Sequence, residues 1–462
     1  MINDSVSVII RTKNEERWIG YAVQSVLTNL KKPEIIIIDN NSTDETLNII
    51  GLFTQDKMLG DKKNRNYTNI KIFKIDDYTP GKALNLGVKN AASGIDQGAL
   101  VTIDVQSGEV RALVGGVGNF FQNQFDRASN VHTLGSAFKP FVYLAALESG
   151  YKPNTKVLDA PLVIDQGPGL DEWKPKNYSG TFYGPSTLRV GLEKSRNLMT
   201  VRVAQDLGIN KITEFSKKLN IYENPEEILS ISLGSTETTL LKLTTAYCSF
   251  VNGGKLVSPI LIDRIQDSEG TTIFNSEKRS CSNCNKISFL SDDMPVIKDN
   301  FNQIFSSETA YQITSLLEGA VKRGTGKRLR DLNLDIAGKT GTTNKNTDTW
   351  FIGFTSNLVV GVYVGFDNPK SLGKHETGAR TALPIFKEFI KKTIKKGDAR
   401  PFKVAKNIKM MVIDPSTGKK ANFGSKKTII EAYKKETIEK NFFDDKDSLS
   451  KRLTKKNILK FY

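Results

Sequence analysis

The sequence predicts an α+β fold for most of its length, an antiparallel sheet flanked by helices, with half of a doubly wound α/β unit ahead of it. Three observations carry this reading. Residues 6–12, 34–40 and 70–76 are short β-branched runs separated by helical segments, an alternation that builds a parallel sheet with right-handed crossovers. Residues 99–105 and 109–115 form two strands around the turn "QSG" and read as a hairpin. Far downstream, "DIAGKTGTT", "DTWFIGFT" and "NLVVGVYVGFD" read as consecutive antiparallel strands, with amphipathic helices such as "TETTLLKLTTAYCSFV" and "SSETAYQITSLLEGAV" before them and a helix from about 380 after them. A sheet whose strands come from both ends of a domain, with helices between, is an α+β design.

The chain of 462 residues exceeds what one core holds, and the texture changes divide it into 1–94, 95–395 and 396–462. With 38% hydrophobic and 25% charged residues the composition is that of a globular protein. In the first unit, "DNNSTDET" ends the second strand. Asp39 there is placed either to accept hydrogen bonds from a base or ribose, or simply to lead into a helix capped by Ser42 or Thr43 with Asp44 and Glu45 in its first turn.

The balance of 66 Lys and Arg against 50 Asp and Glu gives a net charge of +16, which favours an anionic neighbour such as a membrane surface or a wall polymer. There is no zinc-finger spacing and no aromatic RNA-binding motif, and nucleic acid is not expected as a partner. Basic residues crowd the last unit ("FGSKKTIIEAYKK", "SLSKRLTKKNILKFY"), which reads as a solvated tail or helix face apart from a hairpin at "MMVIDPSTGKKA". No apolar run reaches the roughly 18 residues that span a bilayer, and the first twenty residues do not read as a signal peptide, so neither is expected. Cys248 lies in an apolar helical pattern and reads as a small buried hydrophobe. Cys281 and Cys284 form a lone CxxC, either a local disulfide or two loop thiols.

The chemistry is carried by "HTLGSAFKPF". Ser136 precedes Lys139 by three residues, and Pro140 is tolerated only in a first helical turn, so a helix starts close to Ser136. The serine hydroxyl then lies at the positive end of the helix with the lysine on the same face. The apolar continuation "FVYLAAL" buries that lysine, and burial beside positive charge favours the neutral amine, a proton acceptor. His132, four residues before Ser136, is a rival base that reads as a surface or loop residue. Downstream, "KSRN" supplies Ser195 and Asn197, and "KTGTT" supplies Lys339, Thr340, Gly341 and Thr342 on a strand where glycine admits a substrate backbone.

SxxK, SxN and KTG in this order are the signature of penicillin-binding proteins and serine β-lactamases. Together with "GALVTIDVQSGEVRALVGG", "WKPKNYSGTFYGPSTLRVGLEKSRN" and "VVGVYVGFDNPKSLG", they make residues 97–395 similar to the transpeptidase domain of a class A penicillin-binding protein. The resemblance implies a peptidoglycan DD-transpeptidase that cross-links stem peptides through an acyl-serine and is blocked covalently by β-lactam antibiotics. It implies catalytic roles for Ser136, Lys139, Ser195, Asn197 and Lys339, and substrate contacts from Thr340, Gly341 and Thr342. It also implies an oxyanion hole of the Ser136 and Thr342 backbone amides, with no metal and no cofactor, at the periplasmic face of the inner membrane. A DD-carboxypeptidase or β-lactamase would use the same serine with water as acceptor, and a non-catalytic binding module is the alternative from another class.

Residues 5–94, with "VSVIIRTKNEERWI", "IIIIDNNSTDET" and "TPGKALNLGVKNAASG", resemble the N-terminal part of a GT-A-fold nucleotide-sugar glycosyltransferase. The metal-binding DxD element and the acceptor domain of that family are not expected to follow, so this fragment is expected to be inactive as a transferase. It stands where a class A protein carries a membrane anchor and a glycan-polymerising domain, and no polymerase activity is expected.

Overall fold

The structure, a computed structural model, describes residues 6–12, 16–29, 34–39, 42–54, 70–74, 97–117, 125–169, 171–276, 280–282, 296–298, 301–394, 400–422, 425 and 427–438. The first unit has the expected half of a doubly wound sheet. Strands β1 (Val6–Thr12), β2 (Glu34–Asp39) and β3 (Ile70–Lys74) pair in parallel, with helices α1 (Ile19–Asn29) and α2 (Thr46–Thr54) between them. Ile19 and Val23 of α1 meet Ile35, Ile37 and Ile50 in a small core. Helix α2 starts at Thr46, whose N–H donates to Asp44 Oδ1 at 3.0 Å, so Asp44 and Glu45 stand just ahead of the helix instead of in its first turn.

The main unit is built on an antiparallel sheet. Strands β4 (Gly98–Asp104) and β5 (Val110–Val114) form the early hairpin, and β6 (Val131–Thr133) leads into a 3₁₀ turn, Gly135–Ala137, and helix α3 (Lys139–Glu148). Next come β7 (Lys156–Asp159), β8 (Gly184–Thr187), α4 (Leu188–Glu193), α5 (Asn197–Leu207), α6 (Ile209–Lys218), β9 (Glu237–Thr239) and α7 (Leu240–Val251). A hairpin, β10 (Arg264–Asp267) with β11 (Thr272–Asn275), and a pair of short strands, β12 (Ser280–Ser282) with β13 (Val296–Lys298), precede α8 (Ser307–Lys322). The late cluster is β14 (Ala337–Thr342), β15 (Asp348–Phe354) and β16 (Leu358–Gly365), followed by α9 (Ala382–Thr393). The sheet order is β14-β15-β16-β4-β5, antiparallel throughout, so its strands do come from both ends of the domain.

Both faces of this sheet are covered, and the period-2 alternation of each strand shows how. Ala99, Val101 and Ile103 of β4 and Trp350, Ile352 and Phe354 of β15 face a core shared with α3, α5, α7 and α8. Leu100, Phe351, Val360 and Val362 face the opposite way, against Leu383, Phe386 and Phe389 of α9. At the centre of the first core α3 is buried on every side from Lys139 to Leu147. Its Phe141 packs on Phe138, Tyr247 and Phe250 with ring centroids 5.1–5.6 Å apart.

Three expectations need correction. Residues 237–239, read as the start of a helix, form β9, which pairs with β6, and the helix begins only at Leu240 after its Thr239 cap. His132, read as a surface or loop residue, is half-buried in β6. The basic stretch "FGSKKTIIEAYKK", read as a tail or helix face, contains strand β18 (Ile429–Lys434), antiparallel to β17 (Ile408–Ile413), before a short helix α10 (Lys435–Ile438). Its apolar positions outvote the flanking lysines, since Ala432 and Tyr433 are fully buried.

The N-terminal sheet does not end at β1. Strand β10 adds antiparallel to it, Val6 opposite Asp267 and Ser7 opposite Gln266, so one five-stranded sheet, β11-β10-β1-β2-β3, joins residues from both units. Because α3 is the hub of the larger core, Phe141→Ala is expected to destabilise the protein by about 3–5 kcal/mol, the cost of a large buried cavity. Chemical denaturation followed by tryptophan fluorescence checks this.

Candidate active site

The site forms where the N-terminal end of α3, the loop between α4 and α5, and the edge strand β14 meet. Ser136 sits half-buried in the 3₁₀ turn, with α3 proper starting at Lys139 and Pro140 in its first turn, as the proline requires. Residues three apart on a helical stretch share a face, which puts Ser136 of the turn and Lys139 at the start of α3 on one side. Gly135 is at φ +52°, and a Cβ there would lie 2.4 Å from the carbonyl oxygen of Thr342. The glycine therefore lets the Ser136 turn seat directly against the end of β14. Gly341 does the same one residue earlier, where a Cβ would be 2.8 Å from the Leu134 carbonyl.

Ser195 and Asn197 are presented by the end of a very short helix. The Arg196 N–H donates to Gly191 O at 2.9 Å and the Ser195 N–H to Leu192 O at 3.0 Å, the paired bonds of a Schellman turn at the end of α4. In that turn the residue past the cap is left-handed, and here it is Ser195, at φ 56°. A serine in a conformation that suits glycine is backbone strain held at the site by its surroundings. The strain aims its hydroxyl between two lysines.

Lys139 Nζ donates to Ser195 O at 2.7 Å, to Asn197 Oδ1 at 2.5 Å and to Ser195 Oγ at 3.3 Å. Lys339 Nζ donates to the same Ser195 Oγ at 2.9 Å and to Thr340 O at 2.9 Å. Both ammonium groups are fully buried. Burial pushes Lys139 well below the usual lysine range, and the charge of Lys339 pushes it the same way. Burial brings Lys339 down to about 7. Ser195 Oγ is thus within hydrogen-bond reach of both buried amino groups, 3.3 Å from Lys139 Nζ and 2.9 Å from Lys339 Nζ.

The other expected residues fall around this centre. Thr340 donates its hydroxyl to Thr325 Oγ1 at 2.9 Å, and Thr342 Oγ1 accepts the Gly378 N–H at 3.1 Å, which leaves its own proton free to donate. His132 is not a base for Ser136. Its ring stacks on Tyr363 with centroids 4.0 Å apart, Nε2 lies 3.2 Å from Arg127 O, and burial lowers its pKa. Cys248 is a free, buried thiol as expected. Asp39 closes β2 opposite Thr12 and Lys74, far along the chain from this centre. Cys284 lies outside the described residues, as do the side chain of Cys281 and the helix-like segment "GKALNLGVKNAA".

Comparison with known proteins agrees with this geometry. A family profile described as the penicillin binding protein transpeptidase domain matches residues 98–391. The chain belongs to this family. Penicillin-binding protein 1A of Rickettsia typhi is 45% identical over 345 residues, 74% of this chain and 43% of that protein, so the chain spans less than half the length of this relative. The crystal structure of penicillin-binding protein 1A from Haemophilus influenzae superposes with a TM-score of 0.62 at 33% identity, over 72% of this chain and 53% of that one. A Mycobacterium tuberculosis relative solved in complex with penicillin V shares the fold at a TM-score of 0.55 and 23% identity, over 70% of this chain and 87% of that one. A second profile, glycosyl transferase family 2, matches residues 7–104. The two matches overlap on β4, which the structure assigns to the penicillin-binding protein sheet by its pairing with β16 and β5.

Two residues that sequence reasoning missed hold this penicillin-binding protein site together. Buried Asn177 accepts the N–H groups of Asn197 at 2.9 Å and Leu198 at 3.3 Å, capping α5 from outside, and donates to Asp159 Oδ1 at 2.7 Å. Thr325 receives the Thr340 hydroxyl, and its N–H donates to Glu193 O at 3.2 Å. Both are single polar residues in loops, and no spacing marks them.

Two expectations follow for the site. Ser195→Gly and Ser195→Ala lose the same hydroxyl and should lose acylation rate alike, by about 10²-fold or more. Ser195→Gly should nonetheless be the more stable by about 1 kcal/mol because only glycine accepts the left-handed turn freely, and paired denaturation and acylation assays check both. Lys339 titrates near 7 in the folded protein, against about 10.4 when unfolded. Between those values the unfolded chain holds the extra proton, so stability rises with pH. Thermal melts across that window should show a shallower rise for Lys339→Met than for the wild type.

Proposed function

We propose that this chain is a peptidoglycan DD-transpeptidase acting through an acyl-Ser136 intermediate, at the outer face of a bacterial inner membrane. The observation that carries it is the pair of buried lysines converging on the Ser195 hydroxyl beside the Ser136 turn. That arrangement supplies a base, a proton relay and a cation without a histidine.

Ser136 Oγ attacks the carbonyl between the last two D-alanines of a stem peptide and passes its proton to neutral Lys139. The backbone amides of Ser136 and Thr342, whose segments the Gly135 contact holds together, receive the developing oxyanion; one such donor contributes about 10²–10³ in rate. The C–N bond then breaks, and Ser195 delivers a proton to the departing D-alanine nitrogen, drawing on Lys139 to replace it. The amine of a second stem peptide attacks the ester and loses a proton to neutral Lys139, which passes it to Ser136 Oγ as that oxygen leaves, and the cross-link is formed. Lys339 as a cation and the free Thr342 proton hold the terminal carboxylate. A carboxylate bound beside Lys339 restores the charge that burial disfavours, so substrate binding itself sets its protonation.

A β-lactam presents the same amide and carboxylate but keeps its leaving group tethered, which leaves Ser136 acylated. Water in place of the amine would give a carboxypeptidase or β-lactamase from the same intermediate. The segment 7–104 that matches glycosyl transferase family 2 contains no DxD triplet in its sequence, and we assign it no transferase activity. Among the described residues no helix is long and apolar enough to cross a membrane, and the +16 net charge suits an anionic wall or lipid surface.

Intact-protein mass spectrometry after incubation with penicillin tests the reading. The wild type should gain one penicillin mass that persists for the length of the incubation, and Ser136→Ala should gain none while keeping its fold by circular dichroism. A folded wild type that gains nothing overturns the proposal, and an adduct that is rapidly lost to hydrolysis moves it to the water-accepting variant.

A further inference from the structure

The hairpin β17–β18 lies beyond residues 98–391, the segment that the transpeptidase profile matches, yet it carries one of the few carboxylates among the described residues that are entirely buried. Both oxygens of Glu431 accept from the Arg189 guanidinium, a two-point pairing, and both side chains are sealed from solvent. Arg189 spends its remaining donors on Glu193 Oε1 at 3.1 Å, Ser315 O at 3.0 Å and Ser315 Oγ at 2.9 Å. Glu193 in turn binds Arg323 through both of its oxygens.

Arg189 and Glu193 lie on α4, the six-residue helix whose end presents Ser195. A helix of one and a half turns has no stability of its own, so its place is fixed by what grips it. The hairpin grips it twice at its first turn: Glu431 holds Arg189, and the Pro415 carbonyl accepts from the hydroxyl of its cap, Thr187, at 3.5 Å. The same strand reaches the helix that bears Lys139. Lys434 Nζ lies 3.5 Å from Glu148 Oε2 at the far end of α3, and Gln312 of α8 donates to Ala432 O at 2.9 Å.

From Glu193 the connection continues to the third catalytic element. Its carbonyl accepts the Thr325 N–H, and Thr325 Oγ1 accepts the Thr340 hydroxyl on β14. We propose that the hairpin β17–β18 is a positioning element of the active site, with Glu431 acting through Arg189 and Glu193 to fix Ser195 and the KTG strand relative to Lys139. This rests on the acyl-serine reading above. Glu431 touches neither substrate nor reacting atoms; it acts by holding Arg189 and Glu193 so that α4 cannot shift along α8.

The test uses the full chain with Glu431→Gln, Glu431→Asp and a control, Ile413→Ala. Ile413 packs on Tyr433 in the core of the same hairpin and belongs to no part of the ion network. Acylation by a fluorescent penicillin is followed to saturation, which separates the limiting rate from the binding constant, below the melting temperature of every variant. Glu431→Gln should lower the limiting rate by about 10–10²-fold with the binding constant little changed, as expected for a misplaced catalytic group. Glu431→Asp should recover part of that loss, and Ile413→Ala should stay near the wild-type rate despite its lower melting temperature.

Amide hydrogen exchange gives a readout that needs no acylation: in Glu431→Gln the Ser195, Arg196 and Thr325 amides should exchange faster, while those of β15 and β16 do not. If Glu431→Gln and Ile413→Ala lose rate in proportion to their melting temperatures, or if those amides are unmoved, the hairpin is only a structural brace and the proposal falls. A wild type without any adduct would remove the acyl-serine reading, and hydrogen exchange alone would then decide whether the hairpin holds the turn.

Discussion

Everything at this site depends on keeping two lysine amino groups out of water within reach of one serine hydroxyl. A solvated lysine is a cation at neutral pH and no base at all, so the lowered pKa of Lys139 is a property of its burial. That burial is produced by α3, which is buried on every side from Lys139 to Leu147, and by the sheet and helices packed about it. Lys339 adds a second buried charge next to the first, and the two repel, which drives Lys139 further toward the neutral form. The fold must therefore carry a destabilising pair in its interior, and the large two-faced core is what allows it to do so.

The same economy explains the backbone. Three chain segments must approach so closely that side chains would prevent it, hence glycine at 135 and 341. Where a side chain is indispensable at a left-handed position, Ser195 accepts the strain instead. A turn in that state does not hold itself. Asn177 fixes the start of the helix that follows, and Arg189, Glu193 and Thr325 fix the helix that precedes it.

How much of this could be read from the chain depended on distance along it. Ser136 and Lys139 lie within one turn, and Pro140 gives the turn its phase, so their relation was legible at once. Ser195 and Lys339 were legible only as an ordered set of short motifs, because nothing local states that two segments so far apart converge on one hydroxyl. Asn177 and Thr325 work through single hydrogen bonds and leave no periodic trace. The strand around Glu431 was hidden for another reason: in "KKTIIEAYKK" the lysines dominate the composition, while Ala432 and Tyr433 supply the burial. A lone acidic residue flanked by Ile and Ala in a basic stretch was the available signal, and it pointed to a buried partner of opposite charge.

The overlap of the two family matches on β4 has a physical basis. The run "GALVTID" is β-branched, apolar and ends in aspartate, which suits a central strand of a parallel sheet as well as one buried between two helical layers. Sequence pattern alone leaves such a strand unassigned, and hydrogen bonding decides: seven residues of β4 pair with β16, and β5 takes the other edge. With β4 committed to the catalytic sheet, the N-terminal strands are left as a three-stranded half sheet, and its edge at β1 needs a partner because unpaired strand edges invite association. Strand β10 supplies it, and Arg17 donates to Gly116 O at 2.7 Å just after β5. The N-terminal sheet is thus extended by a hairpin of the transpeptidase unit, and sheet pairing ties segments matched by two different families together.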